Sequence, residues 1–368
     1  MEIKAKRGGF LATLYWTQSI VERRNTMPIL ANVLLEAHKS DIRVTATDLE
    51  VGIRGRVEGD VVKEGSVSVN AKKLYEIIRE VPNEQVQLKS LENDWVEIRS
   101  GKSTFKIVGM DAREFPQFPK FSRDGLTTTP ATTLRQMIEG TIFSVSNDET
   151  RYSLNGVYVE EGEAGKVRMV ATDGHRLAFD ERSLGSFGLA KGVILPRKGL
   201  AELKKLLESD DESAVSIGFR ENMGLVMRDQ IELFMRLIDG DFPDYTKVIP
   251  QGNQNIAHVE HEELLQALRR VSILSSERYK GIKMDFKQDR LAISAHNPDL
   301  GEAVEEVEID YNGKPLSIGF NARYLIDVLH VLGNEGEVQI ELKDELSPSV
   351  VKKSGSDGYL YVLMPMRL

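Results

Sequence analysis

The sequence predicts an α+β fold made of three copies of one domain. Two features of the 368 residues carry that expectation: segments that return at nearly constant spacing, and a regular switch between helical and strand periodicity inside each copy. Ile42-Arg43-Val44-Thr45-Ala46-Thr47-Asp48-Leu49 is matched by Val167-Arg168-Met169-Val170-Ala171-Thr172-Asp173-Gly174. A fainter match is Leu291-Ala292-Ile293-Ser294-Ala295-His296-Asn297-Pro298, the shared alanine moving by 125 and then 124 residues. A second element repeats at 126 and 125 residues: Val69-Asn70-Ala71-Lys72-Lys73-Leu74, Leu195-Pro196-Arg197-Lys198-Gly199-Leu200 and Phe320-Asn321-Ala322-Arg323-Tyr324-Leu325.

Each copy opens with an amphipathic helix, read from Leu11, Leu14 and Tyr15; from Leu134, Met137, Ile138 and Val145; and from Leu264, Leu268 and Val271. Period-two alternation follows, as in Ile42, Val44, Ala46 and Leu291, Ile293, Ala295, the mark of half-buried antiparallel strands. A second helix comes next, with stripes Leu74, Ile77, Ile78, Val81; Leu200, Leu203, Leu207; and Leu325, Val328, Leu329, Leu332. Strands then return, and two copies end alike in Glu114-Phe115-Pro116 and Asp241-Phe242-Pro243, where proline stops strand pairing. The polar, glycine-bearing stretches Ser122-Arg123-Asp124-Gly125 and Gln251-Gly252-Asn253-Gln254-Asn255 read as linkers, which gives domains at 1–122, 127–250 and 256–368.

Composition narrows the chemistry. No uncharged run approaches the ~18 residues of a membrane span, and the start lacks a secretory signal pattern, so no membrane association and a cytoplasmic location are expected. The chain has no cysteine and only 6 scattered histidines, which removes disulfides, zinc-thiolate sites and cysteine nucleophiles and predicts no metal and no cofactor. A net charge of −9 argues against nucleic-acid binding, since such proteins are usually basic.

Geometry argues the other way. Six helices at ~10 Å spacing enclose a circle of ~60 Å with a hole of only ~9 Å, whereas twelve helices from two chains enclose ~120 Å and a hole of ~28 Å. The larger hole admits a nucleic-acid duplex roughly 20 Å wide. A head-to-tail dimer closes such a ring through contacts between unlike surfaces.

The three alike domains, the Ala-Thr-Asp motifs, Ala171-Thr172-Asp173-Gly174-His175-Arg176-Leu177, Thr26-Met27-Pro28-Ile29-Leu30 and the terminal Met364-Pro365-Met366-Arg367-Leu368 closely resemble the bacterial sliding clamp, the beta subunit of DNA polymerase III. The resemblance covers the whole chain. It implies three DNA-clamp domains, each with two helices on antiparallel sheets, in a head-to-tail homodimeric ring whose helices line the hole. It further implies a processivity factor that is not an enzyme. The partners implied are double-stranded DNA, a clamp loader, the DNA polymerase III alpha subunit and other proteins carrying a clamp-binding motif.

The resemblance also places the sites. A client-peptide pocket falls on Arg151, Tyr152, Leu154, Thr172, Gly174, His175, Arg176, Leu177, Pro243, Lys247, Val248, Val362, Met364, Pro365, Met366 and Arg367, with Arg151 and Arg176 expected to bind the client's polar groups or carboxylates. DNA contacts fall on Arg24, Lys72, Lys73, Tyr152, Arg197 and Lys198, with Arg23 and Gln117 nearby; Ser153 stands where many clamps carry a second tyrosine. The subunit boundary falls on Lys72, Lys102, Phe105 and Ile107 facing Ile273, Leu274, Glu302, Glu305 and Glu306.

Bland alternatives stand beside these. Asp173, His175 and Arg176 read as a catalytic set or as a turn that caps strands, and Asn297 in the third copy disfavours the catalytic reading. Tyr359, Tyr361 and Leu363 alternate as a final strand filling its own core, while the Met- and Pro-rich end suits adaptable contacts. Lys72, Lys73, Arg79, Lys198, Lys204, Lys205, Arg269, Arg270 and Arg323 lie on the repeated helices among acids, as on a solvated face. Phe105 and Ile273 fit a core as well as a boundary.

Overall fold

The computed structural model describes residues 1–21, 27–117, 121, 125–208, 213–276, 280–334, 336–355 and 358–367. Arg23, Arg24, Thr26 and most of the first linker lie outside them. Among the described residues there are six α-helices: α1 (Arg7–Thr17), α2 (Ala71–Glu80), α3 (Ala131–Ile142), α4 (Arg197–Leu206), α5 (His261–Ser272) and α6 (Ala322–Leu332). The strand pairs among the described residues are antiparallel, so the fold is α+β. None of the described helices is long and apolar enough to cross a membrane.

The helices start where the repeated segments end. Asn70 accepts the Lys73 amide at 3.0 Å and Asn321 accepts the Arg323 amide at 2.9 Å, so α2 and α6 carry the same N-cap, worth ~1 kcal/mol each. Glu260 caps α5 by accepting the Glu263 amide at 2.9 Å. The buried stripes are those expected for α2, α4, α5 and α6, except that Ile77 and Leu332 are only half-buried. For α1 the expected stripe is corrected. Phe10, Thr13, Leu14 and Thr17 are buried, Leu11 is half-buried and Tyr15 is 62% exposed, because the face that meets α2 and the strand Val51–Val57 is rotated by one residue. Val145 is buried but lies past the end of α3.

The chain falls into two compact units, Met1–Ala131 with Lys198–Leu237, and Thr132–Arg197 with Ile238–Leu368. In the first, a five-stranded sheet runs in the order 59–63, 2–6, 85–90, 96–100, 103–107. A nine-stranded sheet runs 109–110, 65–70, 32–38, 41–47, 51–57, 231–236, 223–228, 214–220, 127–130. In the second unit a nine-stranded sheet runs 193–196, 156–161, 166–172, 176–183, 359–363, 349–353, 337–342, 255–260, 310–311, and a four-stranded one runs 301–308, 290–297, 281–287, 316–321.

The strands of the central segment are thus divided. One half extends the N-terminal segment's sheet through Val51–Val57 against Ile231–Arg236. The other half joins the C-terminal segment's sheet through Arg176–Ser183 against Tyr359–Leu363. At the second junction successive residues serve different layers: Tyr361 and Leu363 enter the core under α5 and α6 with Leu268, Leu325 and Phe320, while Val362 joins Val170, Leu177 and Tyr245 on the other face.

The repeated Thr-Asp motif folds as the same turn twice. Asp48 Oδ1 accepts the amides of Glu50 and Val51 at 2.9 and 2.7 Å, and Asp173 Oδ1 those of His175 and Arg176 at 2.9 and 3.1 Å. Leu49 and Gly174 occupy the same position with φ of 79° and 90°. In the third copy Asn297 accepts the Asp299 amide at 3.0 Å. The aspartates are therefore structural acceptors in a turn, which removes the catalytic reading.

Helix α1 approaches its sheet closely at Gly55, where a Cβ would lie 2.3 Å from Thr13 Cγ2. We expect Gly55→Ala to destabilise the chain by roughly 1–3 kcal/mol in urea unfolding through overpacking, and Thr13→Ser, which deletes that methyl, to restore most of the loss. A Gly55→Ala chain as stable as the parent would contradict the packing described.

Candidate functional site

The turn at Thr172–Arg176, the loop after Phe242 and the end of the last strand converge in the second unit on a groove of about 560 Å³. Its lining comprises Leu154, Thr172, Gly174, Arg176, Leu177, Pro243, Asp244, Tyr245, Val248, Val362 and Met364. Leu177 and Val362 face one another across paired strands, and below them lie Tyr245, Val170 and the stacked rings of Tyr158 and Phe242, 4.9 Å apart. The floor is therefore apolar. Tyr245 directs its hydroxyl away to Glu160 at 2.6 Å, and burial together with that carboxylate pushes its pKa up, which keeps it neutral.

The chain end is tied to the turn. Met364 N–H donates to the His175 carbonyl at 3.0 Å, and Met366 N–H to Gly319 at 2.7 Å, so Met364 is held at the rim while its side chain stays half-buried. Gly174 serves two needs at once: its φ is +90°, and a Cβ there would come within 2.8 Å of Arg151 Nη1.

Arg176 corrects an expectation. Its Nε donates to Asp173 at 3.0 Å, Nη1 to Asp327 at 2.7 Å and Nη2 to the Phe143 carbonyl at 2.7 Å, and its guanidinium lies 4.3 Å from the Tyr324 ring centroid. The side chain is 9% exposed. Burial works against its charge, but Tyr361, Asp327 and Asp173 more than offset it and raise its pKa. With these donors already engaged, Arg176 is a wall that joins the turn to α6, not a receptor for a client carboxylate. Arg151 is at the rim, half-exposed, donating to the Asp173 carbonyl at 3.1 Å and 3.6 Å from Asp148.

Of the other residues expected here, His175 contributes its carbonyl, and Tyr152 is 61% exposed beside the groove. Lys247 points to solvent, paired with Asp244 at 3.1 Å, and Pro365, Met366 and Arg367 lie beyond the lining. Sequence reasoning missed Asp244 and Tyr245, although both follow directly on the repeated Phe-Pro signal.

The basic positions are largely engaged within the chain. Lys72 and Lys73 are exposed on α2 but share Glu76 at 3.7 and 2.8 Å. Lys198 pairs with the buried carboxylate of Asp48, and Arg197 donates to Asn147. Of the residues expected at a subunit boundary, Lys72 is on α2, Ile273 and Leu274 follow α5, and the others lie on or just before two strands that are unpaired edges among the described residues. Phe105 and Ile107 are on Ser103–Ile107, with Lys102 in the turn before it; Glu302, Glu305 and Glu306 are on Gly301–Glu308. Phe105 is 36% and Ile273 is 73% exposed, which excludes the core reading for both. Glu305 is held by Arg270 in a two-pronged pair at 2.7 and 2.9 Å, and Glu306 by Arg290 at 3.2 Å. The exposed Val304 and Val108 were not foreseen.

Family models of the DNA polymerase III beta subunit match along the length: its N-terminal domain over residues 1–119, its central domain over 128–244 and its C-terminal domain over 246–367. The chain belongs to the DNA polymerase III beta subunit family. Among similar proteins is the beta sliding clamp of Caulobacter vibrioides strain NA1000, 38% identical over 378 residues and covering 100% of each chain. That of Vibrio cholerae is 35% identical over 374 residues with the same full coverage. The crystal structure of the Pseudomonas aeruginosa DNA polymerase III subunit beta superimposes with a TM-score of 0.95 at 36% identity over 100% of both chains. A P. aeruginosa sliding clamp bound to griselimycin matches at 0.93 and 36%, again over 100% of both. The beta-subunit resemblance read from the motifs thus holds along the entire chain.

Removing one partner of a buried ion cluster leaves the others uncompensated. Arg176→Ala should therefore cost about 3 kcal/mol in urea unfolding, a loss far above that of an exposed arginine. A cost under ~0.5 kcal/mol would show that the cluster does not hold this beta subunit's turn to α6.

Proposed function

We infer that this chain is a DNA sliding clamp: a processivity factor that encircles duplex DNA and tethers DNA polymerase III and other replication and repair proteins during strand elongation. It does this without covalent chemistry of its own. The carrying observation is that all three consecutive domains of the beta-subunit family match along the full length.

The ring is a head-to-tail homodimer. The edge strand Ser103–Ile107 of one copy meets Gly301–Glu308 of the other, with Phe105, Ile107, the half-buried Leu274 and the exposed Ile273 and Val304 as apolar contacts. Lys72 and Lys102 face Glu302, Glu305 and Glu306. Such unpaired edges present free backbone N–H and C=O groups that another strand can pair with, and an edge-to-edge contact extends both sheets. Opposite charges around an apolar centre give a boundary that closes yet opens for a clamp loader.

Within the ring Arg24, Lys72, Lys73, Tyr152, Arg197 and Lys198 face phosphates. The internal pairing of Lys72, Lys73 and Lys198 with carboxylates, and of Arg197 with Asn147, leaves a weak positive surface, and weak contact allows sliding because topology supplies retention. Outer acid is screened within ~8 Å, so a net charge of −9 does not oppose this. The protein works in the cytoplasm, where the chromosome is copied.

The groove at Leu154, Leu177, Val362 and Met364 takes the client peptide. Apolar anchors sit over Leu177 and Val362, and Arg151 at the rim meets polar groups. Tethering acts through effective concentration, since a polymerase held on its template rebinds before it diffuses away.

The native particle should have twice the mass of one 41.3 kDa chain by light scattering at micromolar concentration. Ile273→Asp should weaken self-association by at least about 100-fold, since a desolvated apolar contact would become a buried charge. A monomeric parent chain would overturn the ring. Leu154→Asp should lower affinity for the DNA polymerase III alpha subunit by about tenfold or more with the dimer mass unchanged. Unaltered binding would place the client elsewhere.

A further inference from the structure

The groove has a counterpart in the first unit. Thr47, Leu49, Val51 and Gly52 stand 125 residues before Thr172, Gly174, Arg176 and Leu177. The strand pairing is equivalent: Val51 opposes Met235 and Gly52 opposes Phe234, as Arg176 opposes Leu363 and Leu177 opposes Val362. The Arg236 amide donates to the Glu50 carbonyl at 2.8 Å, the bond that Met364 makes to His175. Pro116 stands where Pro243 does after the shared Phe-Pro signal, and the three stretches enclose about 920 Å³. One backbone design thus produces two cavities.

Their side chains differ in a consistent direction. Gly52 in place of Leu177 removes an apolar wall, and Phe234 in place of Val362 supplies a larger floor. At the rim Arg236 replaces Met364. Among the described residues no carboxylate pairs with its guanidinium, which is exposed. Glu50, Glu221 and Gln117 complete the mouth with acceptors. An apolar floor with one cation and several acceptors matches a group that is apolar, anionic and a donor of N–H bonds together, which a peptide C-terminus is.

We propose that this cavity is a second peptide groove, which takes the C-terminus of a peptide ending in a large apolar residue: the side chain on Phe234, the carboxylate on Arg236 and backbone N–H groups on Glu50 or Glu221. The class of ligand rests on reading the first groove as a peptide site, but the two differ in chemistry and are separable by experiment. Arg176 walls the first groove and is spent within the fold, whereas Arg236 is available to a carboxylate.

The test uses the full chain labelled with 13C at its methionine methyls, where Met223 reports on this groove and Met364 on the other, assigned through Met223→Leu and Met364→Leu. The probe is N-acetyl-Leu-Phe with a free carboxylate, compared with its C-terminal amide. The Met223 signal should shift saturably with the acid. The amide, or Arg236→Gln, should weaken binding by about tenfold with no change in melting temperature. A Met223 signal that stays still at saturating acid, or equal affinity for acid and amide, overturns the proposal. Movement at Met364 alone overturns the second groove and leaves the first standing; movement at Met223 alone supports the second groove, and the first is tested separately by Leu154→Asp with the alpha subunit.

Discussion

Two strand pairings carry this fold: Val51–Val57 against Ile231–Arg236, and Arg176–Ser183 against Tyr359–Leu363. Each joins the central segment to a neighbour by main-chain hydrogen bonds, so the middle copy does not close its own sheet. Because side chains alternate across a strand, a slip of one residue at the second pairing would move Tyr361 out of the core and Val362 out of the groove together. The register that stabilises the second unit is therefore the register that builds its groove. Antiparallel ladders are rigid, and a site placed on one inherits that rigidity.

The same logic explains why the turns at Asp48 and Asp173 are alike although their surroundings differ. The carboxylate organises the turn through two backbone amides in both copies. Its second oxygen then recruits a different cation in each, Lys198 from α4 at Asp48 and Arg176 from the turn itself at Asp173. Duplication preserved the backbone and left the side chains free to diverge. A lysine that the beta-subunit resemblance marks for phosphate contact thus already has a carboxylate partner, which weakens any hold it takes on DNA and suits a ring that must move.

Much of this was legible in the sequence because repeats expose themselves. The shared alanines and leucines mark three copies and the stripes of α2, α4, α5 and α6 mark the helices, while the grouping of Leu177, Val248, Val362 and Met364 follows from the beta-subunit resemblance. What stayed hidden is long-range. Nothing in Ile231–Arg236 says that it pairs with a strand about 180 residues earlier, since pairing partners leave no local mark. Arg176 looked like a ligand-binding arginine because Asp327 and Phe143 are far away in sequence. The face of α1 was misjudged because Gly8 and Gly9 dilute its apolar pattern. Asp244 and Tyr245 were passed over although the Phe-Pro signal pointed to them.

The central claim is that a closed ring holds DNA by topology. The chain has no cysteine, so cysteine pairs between Ser103–Ile107 of one copy and Gly301–Glu308 of the other can be oxidised without competing thiols. The most direct measurement is retention of such covalently closed dimers, loaded on a nicked circular DNA, before and after a single restriction cut in high salt. The account predicts that they stay on the circle and leave once the DNA has ends. Equal release from both forms, or equal retention on both, would contradict it.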